Sequence, residues 1–172
     1  SYQASTTSGS NQLGGLDLHE PLAAHVLGEE LEDRGFTTLF YFQVDNPLVE
    51  VADPAFIVSR RDRLVGIVLT HAHEDHLGAL AYLWKRLKCP IYATPFTAAL
   101  ARFKLARAGL DAAPLHEIGL GQRFDVGPFA VEYIGVTHSI PEPNALLLRT
   151  PAGAVFHTGD WKLDDDPVIG AS

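Results

Sequence analysis

Residues 70–76 constrain the fold of this chain more than any other stretch. They follow an apolar run, residues 64–69, whose β-branched content predicts a short buried strand. After them, apolar residues recur at helical spacing through residues 77–88, with Lys and Arg near the end. The stretch is therefore expected to be a tight loop between the carboxyl end of a strand and the start of a helix. A rigid scaffold commonly displays functional groups on such a loop.

That loop is dense in metal-ligand residue types: His71, His73, Asp75 and His76 fall within six positions. Neutral imidazole nitrogens and ionised carboxylates are ligands that zinc, iron and manganese accept. In an extended backbone, side chains two positions apart share a face, so His71 and His73 should point the same way. Asp75 and His76 lie beyond the bend and can aim at a second point nearby. The pattern favours a metal site over polar loop residues present by chance.

The composition describes an ordinary globular protein. A chain of 172 residues predicts one domain with a sizeable core. The net charge of −8 argues against a dedicated polyanion-binding surface, although two divalent cations would reverse the field at the site. No apolar run reaches membrane-spanning length, so no membrane partner is expected. The single cysteine, Cys89, is expected to be a buried structural thiol, which fits a reducing, cytoplasmic compartment.

The order of predicted elements indicates the fold class. We expect residues 1–12 to be a flexible tail and residues 13–172 to be the domain. Helices are predicted at residues 22–34 and 95–108, and strands at residues 37–45, 90–94, 115–118, 129–136, 145–149 and 154–156. Strands alternate with helices in the middle and form a meander later, so the class is α/β, a layered sandwich.

Two further candidate ligands follow later strands. His138 comes after the strand at residues 129–136 and before a proline-containing loop. Asp160 comes after the last predicted strand and a glycine. Alone, each would more often be a polar loop residue. With the histidine-rich loop upstream, the odds reverse, because a two-metal site needs a third histidine and a bridging carboxylate.

Residues 71–76, His-Ala-His-Glu-Asp-His, resemble the HxHxDH signature of the metallo-β-lactamase superfamily. Together with residues 66–70, 137–142 and 157–162, they look like the ribonuclease J family, an RNA-processing member of the β-CASP branch. The similarity runs from about residue 53 to residue 170. It implies an αβ/βα sandwich that is incomplete here, containing only the first half and no β-CASP domain. The chain then looks like an N-terminal fragment, or a rearranged short relative, of a longer enzyme.

The resemblance also implies a ligand set. One zinc ion would be held by His71, His73 and His138, and a second by Asp75 and His76, with Asp160 bridging. The prediction is two zinc ions, and its weaker form is a single occupied site. Mn²⁺ or Fe²⁺ would suit the same ligands. Zinc lowers the pKa of bound water to about 7, so hydroxide would be available at neutral pH. Asp75 and Asp160 would act as the catalytic residues that orient it and accept its proton.

Three functions fit these residues. The first is a metal-dependent hydrolase that cleaves RNA phosphodiester bonds. The second is a small-molecule hydrolase, a β-lactamase, lactonase or esterase, on the same dinuclear site. The third is a catalytically incomplete assembly module. His157, three positions before Asp160, is expected to face away from the metals, because strand side chains alternate between faces.

An incomplete sandwich would expose an apolar sheet face, and a second copy is the commonest cover for such a face. We therefore expect a homodimer. The alternative is that residues 22–34 fold back over the sheet and leave the chain monomeric. Light scattering that gives a clean monomer of 18.7 kDa would refute the dimer.

Overall fold

The computed structural model describes residues 58–110, 113–151 and 153–166, together with the backbone of residues 12–13 and 16–17. Gln12–Leu13 (β1) pairs antiparallel with Leu16–Asp17 (β2). The predicted helix at residues 22–34, the predicted strand at residues 37–45 and nearly all of the predicted tail lie outside these residues. The extent of the domain, residues 13–172, stays a prediction.

A parallel sheet forms the first half of the described structure. Its strands are Ile67–Val68 (β3), Ile91–Ala93 (β4) and Leu115–Glu117 (β5), with β4 in the middle. Parallel neighbours need crossover connections, and helices usually supply them. Here Glu74–Leu77 (α1) and Leu80–Leu87 (α2) lie between β3 and β4, and Pro95–Arg107 (α3) lies between β4 and β5. The alternating strands and helices confirm the prediction for this region.

An antiparallel sheet follows. It contains Arg123–Val126 (β6), Phe129–Gly135 (β7), Asn144–Thr150 (β8) and Gly153–His157 (β9), in that spatial order. The predicted strands at residues 129–136, 145–149 and 154–156 are confirmed within two residues at each end. The strand β6 was not predicted, because it has only four residues and Val126 is its only β-branched one. It turns into β7 through Gly127, whose φ of 56° suits a glycine.

Two apolar clusters hold the layers together. One lies between the parallel sheet and the helices and includes Ile91, Leu77 and Leu105. The other lies between the two sheets and includes Val68 and Tyr133. Neighbours Ile67 and Val68 belong to different clusters because successive strand side chains point to opposite faces. The order is therefore helices, parallel sheet, antiparallel sheet.

A tyrosine joins the two sheets. Tyr133 on β7 is 1% exposed, and its hydroxyl donates to the carbonyl oxygen of Leu69, 3.0 Å away. The same hydroxyl lies 3.2 Å from the carbonyl oxygen of Tyr92 on β4. Burial raises the pKa of Tyr133, so the hydroxyl keeps its proton and remains a donor. The contact fixes the end of β3 where the histidine-rich loop begins.

Cys89 is buried between α2 and β4, as expected of a structural thiol. The indole N–H of Trp84 donates to its carbonyl oxygen at 2.7 Å. Burial raises the pKa of the thiol to about 11.

The edge strand of the antiparallel sheet exposes apolar side chains. Val155 and Phe156 on β9 are 42% and 49% exposed, and β9 lies at the edge of its sheet. The homodimer stays a prediction. No helix in the described part of the chain is both long enough and apolar enough to cross a membrane.

Candidate metal centre

The first candidate ligands lie where the chain leaves β3. Residues 71–73 have no regular structure, and His73 is extended, with φ −62° and ψ 154°. The prediction of one helix at residues 77–88 was wrong at its start. A one-turn helix, α1, begins at Glu74, and residues 78–79 separate it from α2. Acidic residues in a first turn are favoured by the helix dipole, which explains a start at Glu74 and Asp75.

Three histidines converge, and we call His71, His73 and His138 the three-histidine group. The Nε2 atom of His71 lies 3.1 Å from Nδ1 of His73, and Nε2 of His138 lies 3.1 Å from the same atom. Zinc binds imidazole at about 2.0–2.1 Å, which separates two tetrahedral ligands by about 3.3 Å. The observed spacing is close to that edge length, so these nitrogens fit a single ion.

A second set shares one member with the first. His71, His76 and Asp160, the histidine–aspartate group, place one ligand atom each within 4.8 Å of one another. Oδ2 of Asp160 lies 3.1 Å from Nε2 of His76 and 3.9 Å from Nε2 of His71. It also lies 3.8 Å from Nε2 of His138. The same oxygen therefore faces both groups, as a bridging carboxylate would.

Asp75 lies beside these groups without belonging to either. Its Oδ2 atom is 3.3 Å from Nε2 of His76, on the neighbouring position of α1. The structure thus brings all six residues of the predicted ligand set into one place. In the histidine–aspartate group, His71 takes the position that the sequence analysis gave to Asp75.

The protonation states suit metal binding. His71 is fully buried, and burial is the main cause that lowers its pKa to about 3. A charge on His76 would lower it further, and the negative charge of Asp160 opposes both effects. Burial also lowers the pKa of His138. At neutral pH both imidazoles are therefore neutral and keep a lone pair for a cation.

Asp160 is ionised at neutral pH. Its hydrogen bond with His76 is the main cause that holds the pKa of this carboxyl below its ordinary value, and burial acts in the opposite direction. The positive charges that His76, His71 and His138 carry when protonated lower it further. An ionised carboxylate oxygen among imidazole nitrogens is a ligand set that zinc accepts.

A neighbouring hydroxyl can select the ring tautomer of His71. Nδ1 of His71 lies 3.1 Å from the hydroxyl oxygen of Thr70, and both residues are buried. With the ring hydrogen on Nδ1 and donated to Thr70, the lone pair at Nε2 faces both groups. Such outer partners orient metal-ligating histidines in proteins.

Asn144, at the start of β8, supports the site and was not predicted. Its side-chain nitrogen donates to the carbonyl oxygens of Thr70, at 3.2 Å, and of Glu142, at 2.7 Å. Its backbone N–H also donates to Thr70. The contact joins residues 74 positions apart. No local sequence pattern signals it, because an asparagine beside a proline reads only as a turn.

His157 is partly buried at the end of β9 and belongs to neither group. Burial is the main cause that lowers its pKa to about 4, and charges on His76 and Asp160 also act on it. The ring therefore lies near enough to the cluster to respond to its charges. Its predicted orientation away from the metals stays a prediction.

Comparison with known proteins places the chain in a family. A family model described as "Beta-lactamase superfamily domain" matches residues 44–171, most of the chain. The chain belongs to the beta-lactamase superfamily. This membership confirms the resemblance read from residues 71–76 and the α/β fold class.

The most similar curated relatives include ribonuclease J enzymes. The chain is 50% identical over 119 residues to "Ribonuclease J" of Sinorhizobium meliloti, covering 69% of this chain and 21% of that protein. It is 40% identical over 120 residues to "Ribonuclease J" of Helicobacter pylori strain 26695, covering 69% and 17%. It is also 40% identical over 123 residues to the Thermus thermophilus enzyme, covering 67% and 22%. The chain thus spans about a fifth of the length of these relatives.

Similar solved structures include a metallo hydrolase and a zinc-bound protein. One is Igni18, a metallo hydrolase from Ignicoccus hospitalis, at 21% identity and a TM-score of 0.46, covering 59% of this chain and 44% of that one. The other is Zn²⁺-bound PqqB from Methylobacterium extorquens, at 18% identity and a TM-score of 0.47, covering 55% and 38%.

Proposed function

We propose that this chain carries the dinuclear metal centre of a ribonuclease J-type hydrolase that cleaves RNA phosphodiester bonds. One observation carries the proposal. The three-histidine group and the histidine–aspartate group lie side by side, and one oxygen of Asp160 lies within 4 Å of nitrogens from both. A pair of ions about 3.5–4 Å apart can share such an oxygen, whereas an isolated polar cluster has no need for it.

The donor set indicates which ions fit. Neutral imidazoles and an ionised carboxylate suit zinc, and Mn²⁺ or Fe²⁺ accept the same atoms. We assign one ion to His71, His73 and His138. We assign the second to His76, Asp75 and Asp160, with Asp160 shared between the two. When bound, the metal would polarise the scissile phosphoryl group and activate water.

The chain's own carboxylates have the remaining roles. Asp160 is ionised and partly open to solvent, so it can accept a hydrogen bond from an attacking water and orient it. Asp75 approaches the same nitrogen of His76 and is more exposed than Asp160, so it can pass a proton from the site to solvent. Both roles need a carboxylate within hydrogen-bond reach of the reacting water.

The substrate class rests on the relatives. Proteins named ribonuclease J are 40–50% identical to this chain over 119–120 residues, which is 69% of its length. The net charge of −8 favours a second candidate, a small ester, lactone or β-lactam, because the protein surface would repel a polyanion away from the metals.

The test begins with the metal content of the freshly purified 172-residue chain. A 5′-labelled single-stranded RNA, nitrocefin and a lactone are then offered to the zinc-loaded protein. We expect RNA cleavage that Asp160→Asn abolishes. Nitrocefin or lactone hydrolysis without RNA cleavage would favour the small-molecule function. Bound metal without any hydrolysis would favour the assembly module, and absence of metal after reconstitution at neutral pH would refute the proposal.

A further inference from the structure

The loop that carries His138 joins β7 to β8, and we call residues 136–143 the His138 loop. Its base is closed by the strand pair Gly135–Asn144 and by the N–H of Val136, which donates to the carbonyl oxygen of Pro143 at 3.1 Å. Above that base, His138 must be held in place by other contacts. Ile140 supplies one, packing against the helix-side apolar cluster.

Glu142 supplies a contact of a different kind. Its backbone φ is +53°, in the left-handed region that disfavours any residue with a Cβ atom. Glycine or asparagine adopts this conformation at lower cost. The backbone of Glu142 is therefore strained, and favourable contacts elsewhere must offset that strain.

The side chain of Glu142 reaches a helix 46 positions earlier in the chain. Its Oε2 atom accepts the backbone N–H of Phe96 at 2.8 Å. Phe96 is the second residue of α3, where amide groups have no partner within the helix. The N-cap residue, Thr94, makes no side-chain cap hydrogen bond. Glu142 therefore takes the role of the missing cap, and its charge is favoured at the positive end of a thirteen-residue helix.

We propose that Glu142 is a positioning residue that fastens the His138 loop to α3 and so sets the place of His138 in the three-histidine group. The inference rests on the proposed metal-binding function. Glu142 is held at both ends. Its carboxylate accepts a hydrogen bond from the N–H of Phe96 on α3, and its carbonyl oxygen accepts one from the side-chain nitrogen of Asn144. Releasing the carboxylate frees the loop on the side of His138.

The two ligand groups should respond differently. The three-histidine group contains His138, whereas the histidine–aspartate group does not. Loss of the Glu142 anchor should therefore weaken one ion more than the other. A residue that only capped α3 would lower stability and leave the affinity of the folded protein for both ions unchanged.

The experiment titrates zinc and Co²⁺ into the metal-free 172-residue chain and compares Glu142→Ala with Glu142→Gln. We expect Glu142→Ala to weaken one binding step by about tenfold or more and to change its Co²⁺ absorption spectrum. Glu142→Gln should retain most of the affinity, because its amide oxygen can still accept the N–H of Phe96. If Glu142→Ala does not fold, Glu142→Asp replaces it. Aspartate adopts the left-handed backbone conformation, and its side chain is one methylene too short to reach the N–H of Phe96 in the same way.

A matched control breaks another contact to the same helix. Glu117 on β5 accepts a hydrogen bond from Arg102 of α3 at 2.9 Å, on the surface. Glu117→Ala should bind both ions as the wild type does. The inference is overturned if folded Glu142→Ala keeps both wild-type steps, if both steps weaken equally, or if Glu117→Ala produces the same loss.

Hydrogen exchange of the metal-free chain tests the anchor without any ion. The amide of Val136, at the base of the loop, should exchange faster in Glu142→Ala than in the wild type. An unchanged rate would also overturn the inference. If the wild-type chain binds no metal, the proposed function fails, whereas this measurement still reports whether Glu142 holds the loop.

Discussion

Two regions supply the candidate ligands, and they hold them by different means. The hexapeptide, residues 71–76, provides four ligands from one short segment that a strand enters and a one-turn helix leaves. The other two ligands, His138 and Asp160, come from separate turns after β7 and β9. In the first region the local backbone sets the geometry. In the second, contacts between distant residues set it, such as Asn144 with Thr70 and the N–H of Lys162 with the carbonyl oxygen of Thr137.

The difference shows where a site of this kind is fragile. The hexapeptide follows a strand buried on both faces, and His71 is itself fully buried. The loops that carry His138 and Asp160 leave both side chains partly exposed and are held by contacts with distant parts of the chain. Substitutions in the hexapeptide should therefore act through the ligand removed. Substitutions near the loops that carry His138 and Asp160 should act by displacing those two side chains.

The largest effect is expected for His71→Ala. His71 is assigned to the first ion, and its ring also lies against His76 and Asp160, which are assigned to the second. His71→Ala should therefore lose the first ion and weaken the second, whereas His138→Ala should weaken only the first. The loss should exceed the 10–100-fold that removal of an outer partner costs. Metal per chain by elemental analysis after dialysis measures it. His116→Ala, an exposed histidine stacked on Tyr92, is the control. Equal metal retention by His71→Ala and His138→Ala would contradict this placement of His71.

Asp160→Ala should harm metal binding and hydrolysis more than His157→Ala does. Asp160 presents one oxygen to both groups, whereas His157 belongs to neither. We expect Asp160→Ala to lose at least one ion and His157→Ala to retain both. Zinc titration of each variant, after its fold has been verified by circular dichroism, makes the comparison. Equal losses in two folded variants would count against the assigned geometry.

Gly159→Ala should displace Asp160 without removing a ligand. A Cβ atom at Gly159 would lie 2.6 Å from the carbonyl oxygen of Asn144, and φ is +59°. Gly109 has a similar φ of +70°, but nothing among the described residues lies within 4 Å of its Cβ position. Gly109→Ala should cost about 1–2 kcal/mol of unfolding free energy. Gly159→Ala should cost more and also weaken metal binding, measured by urea unfolding and zinc titration.

The smallest effect is expected for Tyr133→Phe, which removes the hydroxyl that links the two sheets and leaves every candidate ligand in place. The carbonyl oxygen of Leu69 loses its donor, which should lower the free energy of unfolding by about 1–3 kcal/mol. Tyr82 is 60% exposed, and Tyr82→Phe should change stability by less than about 0.5 kcal/mol. Denaturant unfolding of the metal-free chain measures both. Matching values for the two variants would show that the inter-sheet contact contributes little.

The sequence predicted the chemistry of the site better than its support. His71, His73, Asp75 and His76 are adjacent in the chain, so their common location follows from local structure. His138 and Asp160 were found because both follow predicted strands, whose ends are natural positions for functional residues. The six residues do lie together, and their roles as ligands stay a prediction.

The supporting residues had no such signal. Tyr133 looks like any aromatic residue of a half-buried strand, and Glu142 looks like a polar residue after a proline. Their partners lie 64 and 46 positions away, at distances that only the packed fold determines. The early start of α1 was missed for a different, local reason. The prediction assigned Asp75 and His76 to ligand chemistry and overlooked that acidic residues such as Glu74 and Asp75 favour a first helical turn.

The burial of Cys89 gives the chain a built-in reporter. This thiol is the only one in the chain, is 4% exposed, and has a pKa of about 11, so almost none of it is thiolate at neutral pH. An alkylating reagent can modify it only during a transient opening of the region between α2 and β4. The labelling rate therefore reads the opening equilibrium of the layer that supports the hexapeptide. Ions that bind only the closed state would slow that rate in proportion to their occupancy, which would measure affinity without any substrate.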